Sequence, residues 1–275
     1  MPSIDEKRVY GTTTGATRLL VASGVGVVRV SVSDDIVGEF GIDHSCVAAD
    51  LAAGEEAFAV ATDEDVLVGD YEPTGHGPAT VVGVENGVGA GGGIVAVAPD
   101  GTVSRLPTGE TEWVELGEVT APRAADGSLL GTADGVVRAS DDGLEPVGLD
   151  EVTDIVARPV PYAATADGLY RLGNGWQRVR DGVFRTVATD ATGDGIVAAS
   201  DEGVYSRGPW ASDERGDATG DEWAHHDQSG VVAVTVAGDT VAGVTSDGTV
   251  RVTVGDGWRS RALGVTRVDG VVTAE

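Results

Sequence analysis

Apolar and polar residues alternate along this chain in short runs, and the runs come in pairs. In AATADGLYRLGNGWQRV, residues 163–179, one alternating stretch meets Asp-Gly, resumes, and ends in a glycine-flanked tryptophan. Successive strand side chains point to opposite faces, so period-two runs joined by an Asp- or Gly-rich turn predict β-hairpins. Such hairpins fall near residues 19–32, 57–70, 94–106, 129–140, 162–172, 196–207 and 241–254. Their turns recur every roughly 33–45 residues, which leaves room for two more short strands in each unit. Outer strands are expected at 112–119, 175–182, 223–230 and 257–264, each starting at or near a tryptophan. Inner strands are expected at 46–52, 152–159, 183–190 and 231–238. No segment sustains helical periodicity.

Four strands per unit, repeated seven times, predict an all-β, seven-bladed β-propeller of four-stranded antiparallel blades, read as a single domain over residues 1–275. A blade that is apolar on both faces cannot bury them alone, so blades stack around an axis. Trp113, Trp176, Trp223 and Trp258 are expected to pack between blades. An open ring would leave an unpaired edge. The C-terminal segment 264–272, GVTRVDGVV, resembles the inner strand of blade six and is expected to close blade 1 from the inside. The alternative is that RVYGTT, residues 8–13, fills that place.

Composition then narrows the setting. The 275-residue chain carries 45 acidic against 18 basic residues, a formal net charge of −27, and Lys7 is its single lysine. Such a surface repels itself at low ionic strength. Molar salt shortens the Debye length to about 3 Å and removes most of that repulsion. Acidic excess, scarce lysine and a Val/Ala core resemble haloarchaeal proteins and predict a halophilic archaeal, cytoplasmic protein. A basic stripe for nucleic acid or an anionic membrane is not visible. Cys46, the lone cysteine, excludes an intrachain disulfide. The N-terminal residues show no apolar signal region, and no apolar run reaches membrane-spanning length. The repeat units together resemble a haloarchaeal seven-bladed propeller family and, more loosely, propellers with sialidase-type repeats. DDGLEPV (141–147) and LGNGWQRV (172–179) only echo the sialidase Asp-box, and the WD dipeptides of WD40 repeats are missing.

Candidate chemistry is sparse. GVGAGG, residues 87–92, fits a dinucleotide-loop spacing, but a strand rather than a helix is expected next, so a Gly-rich inner strand or bulge is the better reading. Asp43, His44, Ser45 and Cys46 adjoin one another, yet alternation puts Ser45 opposite His44 and Cys46, and a buried structural thiol is expected. His225 and His226 face opposite ways, and His76 lies in a turn, so no metal spacing arises. The acidic loop 212–223 lacks the ligand order of an EF-hand. DATGDG (190–195) is equally ambiguous.

Two sets of charges stand out. Six hairpin turns carry acid: Asp63 with Glu64 and Asp65, Asp100, Asp134, Asp167, Asp201 with Glu202, and Asp247. Turn chemistry accounts for most of these, and together they form a negative rim. Arg123, Arg158, Arg185 and Arg267 fall in expected innermost strands, with Arg185 and Arg267 at one repeat position that Asp154 takes in blade five. Guanidinium groups at a channel grip carboxylate or phosphate bidentately, unless Asp154 or Asp269 already pairs with them. The expected function is a non-enzymatic platform for another protein, monomeric, without cofactor, metal or catalytic residue. The alternative is an enzyme or sensor holding a small anion among those arginines, with Asp154 as acid/base. A sialidase-like hydrolase would also want a tyrosine beside them, and Tyr10, Tyr71, Tyr162, Tyr170 and Tyr205 place none there.

Overall fold

Seven four-stranded antiparallel sheets form the chain, each ordered from the axis outward as strands A to D. The structure is a computed structural model and describes residues 16–54, 58–86, 92–210, 223–254 and 257–274. The A strands of blades 2 to 7 are Ala48–Ala53, Val81–Glu85, Pro122–Asp126, Val152–Val156, Thr186–Thr189 and Val231–Ala237. Each contacts the next around the axis. Blade 1 takes its A strand from the chain's other end: Val268–Ala274 pairs antiparallel with Thr17–Ser23. The closing strand thus begins four residues later than the sequence pattern implied, after Arg267 at a φ of 57°. RVYGTT lies outside the described residues; the inner place of blade 1 is held by Val268–Ala274.

Apolar clusters form between blades, as a two-faced sheet requires. One contains Val21, Val28 and Val30 of blade 1 together with Val244, Val250 and Val252 of blade 7, so the join between the two ends of the chain is a valine seam. Trp113, Trp176, Trp223 and Trp258 each join the cluster between their own blade and the preceding one. The Trp176 indole also donates to the Val147 carbonyl of blade 4, 3.2 Å away. Tyr71 does the same work in blade 2, stacked on His44 of blade 1 with centroids 4.5 Å apart.

A local device recurs at the B–C turns. Ser23, Thr62, Thr132, Thr165, Ser200 and Thr245 end their B strands and are buried. Each hydroxyl donates to a carbonyl at or near the start of strand C, from 2.7 Å for Ser23 to Gly26 up to 3.4 Å for Ser200 to Gly203. This bond pins the turn from inside, while the acidic residue beside it stays at the surface. Gly26, Gly135 and Gly203 have φ between 133° and 147°. A Cβ at any of the three would meet a backbone oxygen 2.1–2.4 Å away, so only glycine fits.

Candidate functional site: the channel and its two mouths

The A strands enclose a central cavity of about 330 Å³. Its wall carries Asp50, Asp126, Asp154 and Asp269 together with Arg123 and Arg185. Strand A is bulged in five blades, where the register skips Asp269, Ala49, Arg123, Thr153 and Val232. These bulges shift the repeat alignment. Asp154 lies opposite Ala164 and Thr186 opposite Ala199, in each case one residue before the Ser or Thr that ends strand B. Asp154 therefore corresponds to Thr186, not to Arg185, and the equivalent residue in blade 1 is Gly270, opposite Ala22.

Three carboxylates in this wall act as latches between blades. Asp50 accepts from its neighbour Leu51 N at 2.8 Å and, across the blade boundary, from Val82 N at 3.0 Å. Asp154 repeats the geometry with Ile155 N and Val187 N, both at 2.8 Å. Asp126 accepts from Ala157 N of blade 5 at 2.6 Å. Thr186 performs the task with a hydroxyl, accepting from Val234 N of blade 7 at 3.3 Å. An amide buried without a partner would be costly, so each latch fixes the angle between two blades.

Burial raises all four aspartates above the usual carboxylate range. Asp50 is pushed up to about 7, first by loss of water, against the two amides that favour its charge. Asp154 is pushed up to about 6 for the same reason. Burial also raises Asp126, which the nearby Arg158 draws partly back, and Asp269, opposed by Arg267. Asp154 and Asp269 are marked by the sequence as possible partners of the arginines; Asp50 and Asp126 are not. The signal was present, since a lone Asp inside an apolar inner strand such as AADLAA needs a partner.

The four arginines separate. Arg123 lies within strand A of blade 4, reaching the Val152 carbonyl at 3.2 Å and Glu151 at 3.5 Å. Arg185, just before the A strand of blade 6, pairs with Asp201 of its own B–C turn at 2.5 Å. Arg267 precedes the closing strand and lies against Gly24 in the blade 1 turn. These three stand at the turn-face mouth. Arg158 follows strand A of blade 5, at the opposite mouth, in the wall of a separate cavity.

The acidic turns all lie on one face, because every B–C turn joins the same ends of the strands. They do different work. Asp65 organises the following loop, accepting from Val66 N, Gly77 N and Gly75 N. Asp167 is bound by Thr165 and Arg178, and the Thr165 hydroxyl leads the forces holding its carboxyl below the usual range. Asp100 and Asp247 are likewise lowered, by Thr102 and by Thr245. Asp63 and Asp134 are exposed beside their turns.

The remaining candidates are structural in their contacts. Burial raises the Cys46 thiol, which opposes a thiolate nucleophile. Asp43 is taken by Arg29 at 3.4 Å and by the Tyr71 hydroxyl at 2.9 Å. His226 meets the Ser206 hydroxyl at 2.8 Å, while His225 turns to the Glu202 carbonyl at 3.2 Å. His76 packs edge-on against Trp113. Among the described residues no three His, Cys, Asp or Glu side chains gather as a metal site would need. Residues 87–91 of the Gly-rich stretch and 212–222 of the acidic loop lie outside the described residues; strand Gly93–Val97 follows the first.

Solved structures share the fold at low identity. A chain of a nidogen/laminin complex is 12% identical with a TM-score of 0.60, over 94% of this chain and 98% of that one. The computationally designed Ika8 protein is 16% identical with a TM-score of 0.54, over 96% of this chain and 94% of that one. No curated protein matches the sequence. Its family is nonetheless clear, because a match runs through every blade described above, from residue 3 to residue 274: the chain belongs to the HVO_0234-like beta-propeller family.

Proposed function

We propose that this protein is an interaction platform working in concentrated salt in an archaeal cytoplasm, and that it presents its turn face to a partner bearing cationic groups. The observation that carries this reading is the division of charge at that face. Six of the seven B–C turns bring carboxylates to it. Two of its arginines, Arg123 and Arg185, are already paired with Glu151 and Asp201. The face therefore offers acceptors on a ring held rigid by the latches, as suits recognition by turns. The same pairs weigh against the other reading, a small anion held by channel arginines. Molar salt screens long-range steering, so recognition here relies on contact hydrogen bonds and close pairs.

The test is affinity capture from the native host in molar salt, with wild type beside an Asp63→Asn, Asp134→Asn, Asp247→Asn triple variant. A stoichiometric partner held by wild type and lost by the folded variant supports the reading. A partner held equally by both moves the interface elsewhere, and a co-purified small anion in its place contradicts the platform.

A further inference from the structure

The mouth opposite the acidic turns has a different chemistry. A cavity of about 310 Å³ opens there between the end of strand A of blade 3 and the A–B connections of blades 4 and 5. Arg138 enters its wall from strand C of blade 4, and Arg158 from the connection after strand A of blade 5. Ser128 also lines it. Two arginines from different blades at one cavity are notable in a chain with so few cations.

What holds these arginines separates them from Arg123 and Arg185 at the turn face. Arg138 has Glu145 only at 3.9 Å, with the Glu145 side chain largely in water and that of Arg138 nearly half exposed. A pair so long and exposed restrains the guanidinium little. Among the described residues no carboxylate lies within ion-pair distance of Arg158. Glu85 is the one carboxylate in the cavity wall, and it is engaged from behind. The buried Arg105 donates to it at 2.7 Å and also binds Asp141. Asp126 feels the charge of Arg158, but its carboxylate accepts from Ala157 N and lies beyond ion-pair distance of the guanidinium.

We infer that this cavity is a binding site for a small oxyanion, a carboxylate or phosphate group gripped between the Arg138 and Arg158 guanidiniums, with Ser128 donating to one of its remaining oxygens. Guanidinium forks match such groups in geometry, and charge-assisted bonds are the strongest available here. The site spans blades 3, 4 and 5, so an occupant would also tie these blades together.

The test is calorimetric titration of the intact protein in molar potassium chloride with two probes, inorganic phosphate and acetate. Saturable binding of either is expected, and the one that binds identifies the source of the oxyanion. Arg158→Gln and Arg138→Gln should each weaken binding by roughly ten- to a hundredfold, the worth of one charge-assisted hydrogen bond. Both positions are exposed, and an unchanged melting temperature would confirm folding. Arg185→Gln, at the other mouth, should leave the affinity unchanged. Binding of neither probe overturns the inference, as does binding that survives Arg158→Gln or falls equally with Arg185→Gln.

Discussion

The two mouths of the channel hold arginines in opposite ways. At the turn face, Arg185 closes on Asp201 and Arg123 on Glu151 and the Val152 carbonyl. At the far mouth, Arg138 and Arg158 reach a cavity whose single wall carboxylate already belongs to Arg105. Between the mouths the wall is latched by Asp50, Asp126, Asp154 and Thr186. The comparison teaches that an arginine near a propeller axis says little until its partner is known. Arg185, just before strand A of blade 6, meets the acid of its own B–C turn, whereas Arg158, just after strand A of blade 5, has no carboxylate at ion-pair distance among the described residues.

Arg105 offers the sharpest way to break this picture. It is buried and carries both Glu85 and Asp141. Arg105→Met should remove about 3–5 kcal/mol of stability, because two carboxylates lose their cation and Glu85 is largely buried. Arg185→Met, on an exposed pair, should cost less than about 1 kcal/mol. Denaturant unfolding of the two variants side by side checks the contrast. Equal losses would mean that the two mouths are built alike.

The latches come next. Asp154→Ala strands the Val187 amide and should cost about 1–3 kcal/mol, and Thr186→Val should do the same to the Val234 amide. The two differ in their response to pH. Asp50 and Asp154 have folded values raised to about 7 and about 6, above the unfolded carboxylate value. Between roughly pH 4 and pH 7 the folded state binds more protons than the unfolded state, so stability falls as pH rises through that window. Asp50→Asn and Asp154→Asn should each flatten this decline, whereas Thr186→Val should deepen it, because the Thr186 hydroxyl that favours the charged Asp154 carboxylate is lost. Melting temperatures measured across that window in molar salt separate the cases.

The smallest effect belongs to the turns. Asp134→Asn, at an exposed turn residue, should change stability by less than about 0.5 kcal/mol. A larger loss in unfolding experiments would show the rim to be structural.

The fold was legible because its rules are local. Alternation gave the strands, Asp-Gly and Ser/Thr marked the turns, and a repeated Trp marked the outer seams, so the blades and the closing strand could be read directly. The channel was legible only in outline. A sequence alignment cannot see the bulge at Thr153 or Asp269, and this displaced Asp154 onto Arg185 in place of Thr186. Asp50 and Asp126 were hidden for a different reason: their partners are backbone amides of the next blade, which no side-chain motif records. The meeting of Arg138 and Arg158 depends on the stacking angle of two blades, a property of packing rather than of either segment.

Carbon-13 NMR titration of the Asp50 and Asp154 carboxyls in molar salt tests the central claim most directly, namely that the channel's charge serves to join blades. Water-poor latches predict midpoints near 7 for Asp50 and near 6 for Asp154. Midpoints at the ordinary carboxylate value of about 4 would contradict it, showing a hydrated channel whose carboxylates are free to meet a ligand.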